Sequence, residues 1–398
     1  MCSDSQRSAA FAGAILPLLF LLLAGLEAQA QTGSTPSGPS APPVEVSKSL
    51  VEQVINVFSS PIRVLTTAVV PASGFSAGGG IDLTGEHEQF TAGGKVSSRG
   101  YWRADAQLAT HPTPWSHLAV YGRMRHLPSL PNYGLGPDTL DATMATFDLD
   151  DRTAGGAGWI RRGRFALATT GDVTRATSGQ DSERANEMRA MFDPADLAGF
   201  GDRLTYWHSA VALDFNNSTP IDQPARGVWY RITGHKYIGL AGSHVSLTVV
   251  DVDLRHYYPL PGRVVLGTQV EVKLSPLGDK SKAPFFLLPY LGGDSTLEGF
   301  ADYRFRDSNA ALIRFQARRA LFSAVPIWKR TQAGPLYVVG FVDAGTVAHT
   351  PRTLNFSRLQ HDTGFGFSLW MGAHTLLRMD FAFSSDEGFR TKPFASGF

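Results

Sequence analysis

One nucleophile stands in a frame that could do chemistry: Ser76, within GFSAG at Gly74 to Gly78. A Gly-x-Ser-x-Gly elbow presents its hydroxyl on a sharp turn between a strand and a helix. The sequence continues GGIDL, placing Gly79 and Gly80 where that helix would begin, and glycine disfavours a helix. The same residues suit the glycine-rich start of a strand. The eleven histidines offer no paired zinc spacing: His87 is alone between Glu86 and Glu88, and His244 and His256 fall at opposite ends of one segment. GGK at Gly93 to Lys95 lacks the rest of a phosphate-binding loop. Cys2 is the single cysteine, which excludes an internal disulfide and a thiolate metal site. The expectation is a protein that is not an enzyme and has no metal and no cofactor. A different kind of chemistry is suggested by GGDSTLEGFADYRFRD, Gly292 to Asp307. Here paired glycines precede a carboxylate in an apolar setting, and aromatics then alternate with arginines. By itself the stretch reads as a solvated surface loop hinged on glycine, with a carboxylate whose setting the pattern leaves open.

The elements that would position such a loop follow from composition and periodicity. With 36 basic and 35 acidic residues in 398, the net charge of +1 gives no field to attract nucleic acid. Glycine (41) and phenylalanine (25) are both abundant, which favours strands and turns. Residues 1–30 read as a signal peptide: Arg7, an apolar run, and AQA at Ala28 to Ala30. Residues 31–60 read as a Pro/Ser/Gly linker followed by a short amphipathic helix, in which Leu50, Val51, Val54, Ile55 and Phe58 share a face.

From residue 61 to 398 the pattern has period two. Leu266, Val270, Val272 and Leu274 oppose Gln269, Glu271 and Lys273, and Met379, Phe381 and Phe383 oppose Arg378 and Asp380. About sixteen such segments, each roughly ten residues long, lie near residues 75, 88, 101, 116, 141, 152, 164, 203, 226, 243, 262, 308, 334, 362, 374 and 388. No apolar run after the leader is long enough for a membrane helix. Tight turns alternate with long polar loops, and lipid cannot satisfy an open sheet edge. The fold class expected is therefore all-β: a transmembrane antiparallel up-and-down β-barrel of about sixteen strands. Trp102, Trp115, Trp159, Trp207, Tyr257, Tyr258, Trp328 and Trp370 fall mostly near strand ends, where amphipathic rings meet headgroups.

On this frame, Gly292 to Asp307 lies between the eleventh and twelfth expected strands. The region resembles the bacterial surface antigen family, the barrel domain shared by BamA, TamA and the two-partner secretion transporters. The matching positions are Gly292, Gly293, Leu297, Glu298, Gly299 and Phe300, followed by the strand motif Phe341, Asp343 and Gly345. The closing segments from Asp362 to Phe398, with Phe398 as an insertion signal, and NYGLGPDT at Asn132 to Thr139 extend the likeness over most of the chain beyond about residue 60. The resemblance implies an inward-folded loop whose arginine meets the strand aspartate. Here that arginine is Glu298, which would repel Asp343, while Gln316 stands where relatives tend to have glutamate. Glu298 is accordingly expected to pair with Arg314 or Arg318.

The family's assembly and secretion members also carry periplasmic POTRA domains. The linker and helix leave no room for these, so a stand-alone barrel is expected. The resemblance implies a bacterial outer-membrane location, contact with outer-membrane lipid, unfolded protein or lipid clients, and a periplasmic partner. Three functions stay open: a biogenesis or translocation barrel with a lid and a seam weakened by Pro393, a passive pore or structural barrel, and a hydrolase using Ser76.

Overall fold

The computed structural model describes residues 62–65, 68–113, 115–220, 223–276, 282–293, 296–328, 331–371 and 374–395. The expected leader, linker, amphipathic helix and Phe398 lie outside them. The strands are β1 (Ile62–Leu65), β2 (Ser76–Thr84), β3 (Glu88–Ser97), β4 (Trp102–Thr113), β5 (Ser116–Asn132), β6 (Ala145–Arg162), β7 (Phe165–Ser178), β8 (Arg203–Asn216), β9 (Gly227–Gly239) and β10 (Ser246–Leu260). There follow β11 (Val264–Leu274), β12 (Tyr290–Leu291), β13 (Phe305–Arg306), β14 (Asn309–Phe322), β15 (Val325–Trp328), β16 (Thr331–Ala333), β17 (Leu336–Ala348), β18 (Gln360–Met371), β19 (His374–Ser384) and β20 (Gly388–Ala395). Among the described residues, sixteen of these form one antiparallel sheet in chain order. β12 with β13 and β15 with β16 form separate small hairpins. Each sheet strand pairs with the next strand of that sheet along the chain, β11 with β14 and β14 with β17 across the two hairpins.

Alternation separates the two faces. On β14, Phe315 is 52% exposed, whereas Arg314 and Arg318 are each 8% exposed. On β17, Val342 is exposed while Phe341 and Asp343 on either side are buried; on β8, Val211 and Leu213 are exposed between buried Ala210, Ala212 and Asp214. The bare face is apolar and the covered face polar, the reverse of a sheet built for water and the arrangement lipid demands. Among the described residues no helix is long and apolar enough to cross a membrane.

The larger hydrophobic core lies where the long connections fold over one end of the covered face. Leu127, Phe147, Tyr206, Tyr237 and Leu247 from the strands meet Met188, Leu197 and Phe285 from the connections. Met188 belongs to helix α1 (Ser182–Met191), whose start is capped by Asp181 accepting from the amides of Glu183 and Arg184, both at 3.1 Å. The Arg184 amide in particular holds the Asp181 carboxyl below its ordinary range. Connections far apart in the chain are tied together or to the sheet: Arg358 pairs with Asp138 at 2.6 Å, and Tyr337 of β17 donates to Gln223, between β8 and β9, at 2.9 Å.

Three expectations are corrected here. The strands expected near residues 141 and 152 are one eighteen-residue strand, β6; residues Asp141–Thr143 form a 3-10 turn, in which the hydroxyl and the amide of Thr143 both donate back to the Leu140 carbonyl instead of to a neighbouring strand. β1 was not expected, since four residues are too few to show alternation. Helix α1 sits in the long polar connection between the segments expected near residues 164 and 203, where no helix was expected: its exposed face is charged, and only Ala185 and Met188 are buried, leaving little amphipathic signal.

Candidate functional site

The connection from β11 to β14, residues 275–308, contains the segment singled out in the sequence. Its hairpin brings Tyr290 opposite Arg306 and Leu291 opposite Phe305. Gly292 and Gly293 have φ of 102° and 115°, and a Cβ on Gly292 would come within 2.3 Å of the Ala301 carbonyl oxygen. Only glycine fits that turn. Past it, the Thr296 hydroxyl accepts from the Gly292 amide at 2.8 Å, while Leu297 and Phe300 are fully buried. They join Leu291, Phe305, Ala310, Leu312 and Val347 in a second hydrophobic cluster that fixes the loop to β14 and β17.

Packing there delivers Glu298 to the polar face with no exposed surface. Arg378 Nη2 lies 2.8 Å from Glu298 Oε1, and Arg314 Nη2 lies 3.2 Å from the same oxygen. Each arginine also holds a second carboxylate: Arg314 binds both oxygens of Asp343 at 2.8 and 2.5 Å, and Arg378 Nε lies 2.6 Å from Asp380. Arg314 therefore stands between the two acids expected to repel each other. Bidentate guanidinium contacts of this kind are strong and directional. Beside them the Gly299 amide donates to Asp362 at 2.6 Å, and its carbonyl accepts from Ser384 at 2.9 Å. A Cβ on Gly299 would sit 2.7 Å from Asp362 Cβ, so this close approach also requires glycine.

The remainder of the loop is tied down farther along. Arg304 Nε meets Glu387 at 2.6 Å, its Nη1 donates to Thr139 at 2.6 Å, and Glu387 also binds Arg390 at 2.6 Å. The Gly136 amide donates to the Arg306 carbonyl at 2.9 Å. NYGLGPDT and the loop, more than 150 residues apart, thus form one unit. Arg306 is buried among Phe285, Tyr290 and Tyr303 and donates to the Phe285 carbonyl at 3.1 Å. Burial pulls its guanidinium down to about 10 and pushes the Tyr303 hydroxyl well up.

Of the strand motif, Phe341 and Asp343 face the loop side, and Gly345 lies where Leu291 packs closely. Arg318 is corrected: it does not reach Glu298 but donates to the Pro224 carbonyl and lies 5.4 Å from the Tyr337 ring centre. It is four residues, two inward positions, beyond Arg314, too far for the loop carboxylate. Gln316 lines a cavity on that side. Arg378 was not foreseen. Its alternation with Met379 marked it as inward, but nothing in the sequence brings β19 to the loop.

Ser76 is buried at the start of β2, opposite Ser97, with a strand following rather than a helix. His256 lies between the hydroxyls of Tyr230 at 2.7 Å and Tyr258 at 3.1 Å. A chain of Tyr121, Asp172, His208 and His235 crosses β5 to β9, with links of 2.9, 2.9 and 3.4 Å. Among the described residues no group of three or more candidate ligands could hold a metal ion.

A family model described as the Omp85 superfamily domain matches residues 156–395. The fold is similar to BamA from Haemophilus ducreyi, solved without POTRA domains 1–3: TM-score 0.58, 15% identity, 84% of this chain and 69% of that one covered. It is also similar to CdiB from Escherichia coli: TM-score 0.53, 14% identity, 83% of this chain and 61% of that one covered. This chain thus spans less than two thirds of that CdiB. No curated protein matches.

Proposed function

The chain belongs to the Omp85 superfamily and is a protein of the bacterial outer membrane, and on that premise we propose that it inserts or translocates protein or lipid there. The Gly292–Asp307 loop is its inward-folded lid. The observation that carries this reading is the burial of Glu298 between Arg314 and Arg378. Charged groups reach such a site only where the partners are prearranged, so the loop has one docked position and a defined cost of leaving it. Gly292, Gly293 and Gly299 shape the lid, Leu297 and Phe300 anchor it, and Phe341, Asp343 and Gly345 form the wall it rests on.

In this reading residues 61–398 form the barrel domain, and the sheet closes into a barrel. Support comes from a cavity of about 640 Å³ lined both by Ala72, Arg99 and Tyr101 near the first strands and by Arg390 and Thr391 of β20. Pro393 stands opposite Met379 in β20 and lacks an amide donor, which suits a seam that opens. The polypeptide or lipid enters from the periplasm with the help of a partner there, and no bond is made or broken by the protein.

Two measurements test this. Unboiled protein from an outer-membrane fraction should migrate differently from boiled protein, as a stable barrel does. In planar bilayers the wild type should stay closed, and Glu298→Ala should show openings. A steady large conductance of the wild type overturns the lid and leaves a passive pore.

A further inference from the structure

The bare face of the sheet breaks its apolar rule where β6 meets β7. Arg152 and Arg175 stand directly opposite each other there, and both are exposed. They alternate in step with exposed Ala154 and Val173, which puts both guanidinium groups on the side turned to lipid. Like charges directly opposite on an antiparallel pair destabilise it. Residues 115–220 are described without a gap, so the neighbouring strands β5 and β8 and the connections at that end are all in view. Among the described residues no carboxylate pairs with either arginine. Asp150, on the same face, is taken by His126 at 2.6 Å, and Asp151 faces the other way and binds Arg125. Arg203, opposite Thr177, adds a third exposed cation.

Position along the strands decides what these charges meet. Arg162 pairs with Phe165 beside the short turn, and Arg152 pairs with Arg175 ten residues farther along both strands. A strand crosses the hydrocarbon in about 9–11 residues. Exposed Trp115 and Phe165 mark one headgroup layer, and exposed Trp102 and Trp207 mark the other, beside the arginine pair. Short turns face the periplasm and long connections the cell surface, so the pair lies in the headgroups of the outer leaflet.

We propose that Arg152 and Arg175 form a binding site for a phosphomonoester carried on a lipid of the outer leaflet. Residues directly opposite hold their Cβ atoms about 5 Å apart, so both guanidinium groups reach one phosphate. A phosphomonoester carries about 1.5 to 2 negative charges at pH 7, which matches the two cations; a phosphodiester headgroup carries only one. The apolar surface around the pair selects a lipid over free phosphate: Met124 stands opposite Arg152, and Val173 and Trp207 lie next to it on the membrane side. The inference rests on the outer-membrane location alone and stands apart from the lid, which lies on the other face of the sheet.

The test is native mass spectrometry of the full chain in detergent micelles, titrated with lipid A, with lipid A stripped of its phosphates, and with phosphatidylglycerol. Lipid A should bind saturably, at least tenfold more tightly than either comparison lipid and at least tenfold more weakly to the double variant Arg152→Gln, Arg175→Gln. An excess of inorganic phosphate should not displace it. The lipids are compared on the wild type, so that result does not depend on the variant folding. Melting, followed by gel mobility, supplies a second sign. Without lipid A, Arg175→Gln should unfold no lower than wild type, because a like-charge pair is relieved, and lipid A should raise the midpoint of the wild type only. Equal binding of lipid A with and without phosphates, equal binding of phosphatidylglycerol, undiminished binding to the double variant, or displacement by inorganic phosphate overturns the proposal. An Arg175→Gln chain that melts well below wild type without lipid overturns it as well, since the arginine then serves the protein's own packing.

Discussion

Replacing Glu298 by alanine should release the loop. At an effective dielectric of ~20, unit charges ~3 Å apart attract by about 5 kcal/mol, and Glu298 has two such contacts, at 2.8 and 3.2 Å. Desolvating the carboxylate offsets several kcal/mol of that gain, and breaking a buried pair by removing one partner typically costs about 3–5 kcal/mol. Here each arginine keeps a second carboxylate, Asp343 or Asp380, so the loss belongs at the lower end, about 3 kcal/mol. At about 1.4 kcal/mol per decade, the undocked loop becomes roughly a hundredfold more populated. Arg304 and Arg306 are buried in the docked loop and become trypsin sites when it leaves. Where opening and closing outpace cleavage, the cutting rate follows the open population. Folded protein in micelles, cut for a timed interval and sequenced at the new termini, should therefore show Glu298→Ala cleaved after these arginines about a hundred times faster than wild type. A double-mutant cycle with Arg378→Ala should give a coupling of about 0.5–3 kcal/mol. If Glu298→Ala is cut within threefold of the wild-type rate, the ion pair does not hold the loop, and the lid argument fails.

Gly299→Ala should also undock the loop, by about 1–3 kcal/mol, because its Cβ would overlap Asp362; the same trypsin assay reads it. Phe315→Arg puts a charge in the middle of the bare face of β14 and should lower the yield of folding into lipid vesicles, with a loss of about 2–4 kcal/mol if that position reaches the bilayer midplane. Asp181→Ala should speed hydrogen exchange at the Glu183 and Arg184 amides. Since the folded carboxyl is held below its ordinary 3.8, the cap's contribution is present above that pH and is lost as pH falls through the lower folded value; exchange measured down that range checks the sign.

How much was legible in the sequence differs element by element. The alternation of Leu266, Val270 and Val272 with Gln269, Glu271 and Lys273 was enough for β11, because a strand with one oily face repeats every two residues whatever surrounds it. The same period misled at Asp141, where polar residues that alternate briefly belong to a turn before one long strand. The setting of Glu298 beside Asp343 followed only from the likeness to the surface antigen family, and Arg314 from its parity with Gln316 along the strand. The departure of Arg318 could not, because the Pro224 carbonyl that holds it lies 94 residues away on another turn.

By itself, then, the chain determined which side chains face lipid and which face inward, since parity along a strand is local geometry. Only the tertiary structure decided that Glu298 meets Arg378, 80 residues on, rather than Arg318, 20 residues on. Which inward groups touch depends on the stagger of neighbouring strands and on the depth at which a folded loop stops, and both are set by packing across the whole sheet.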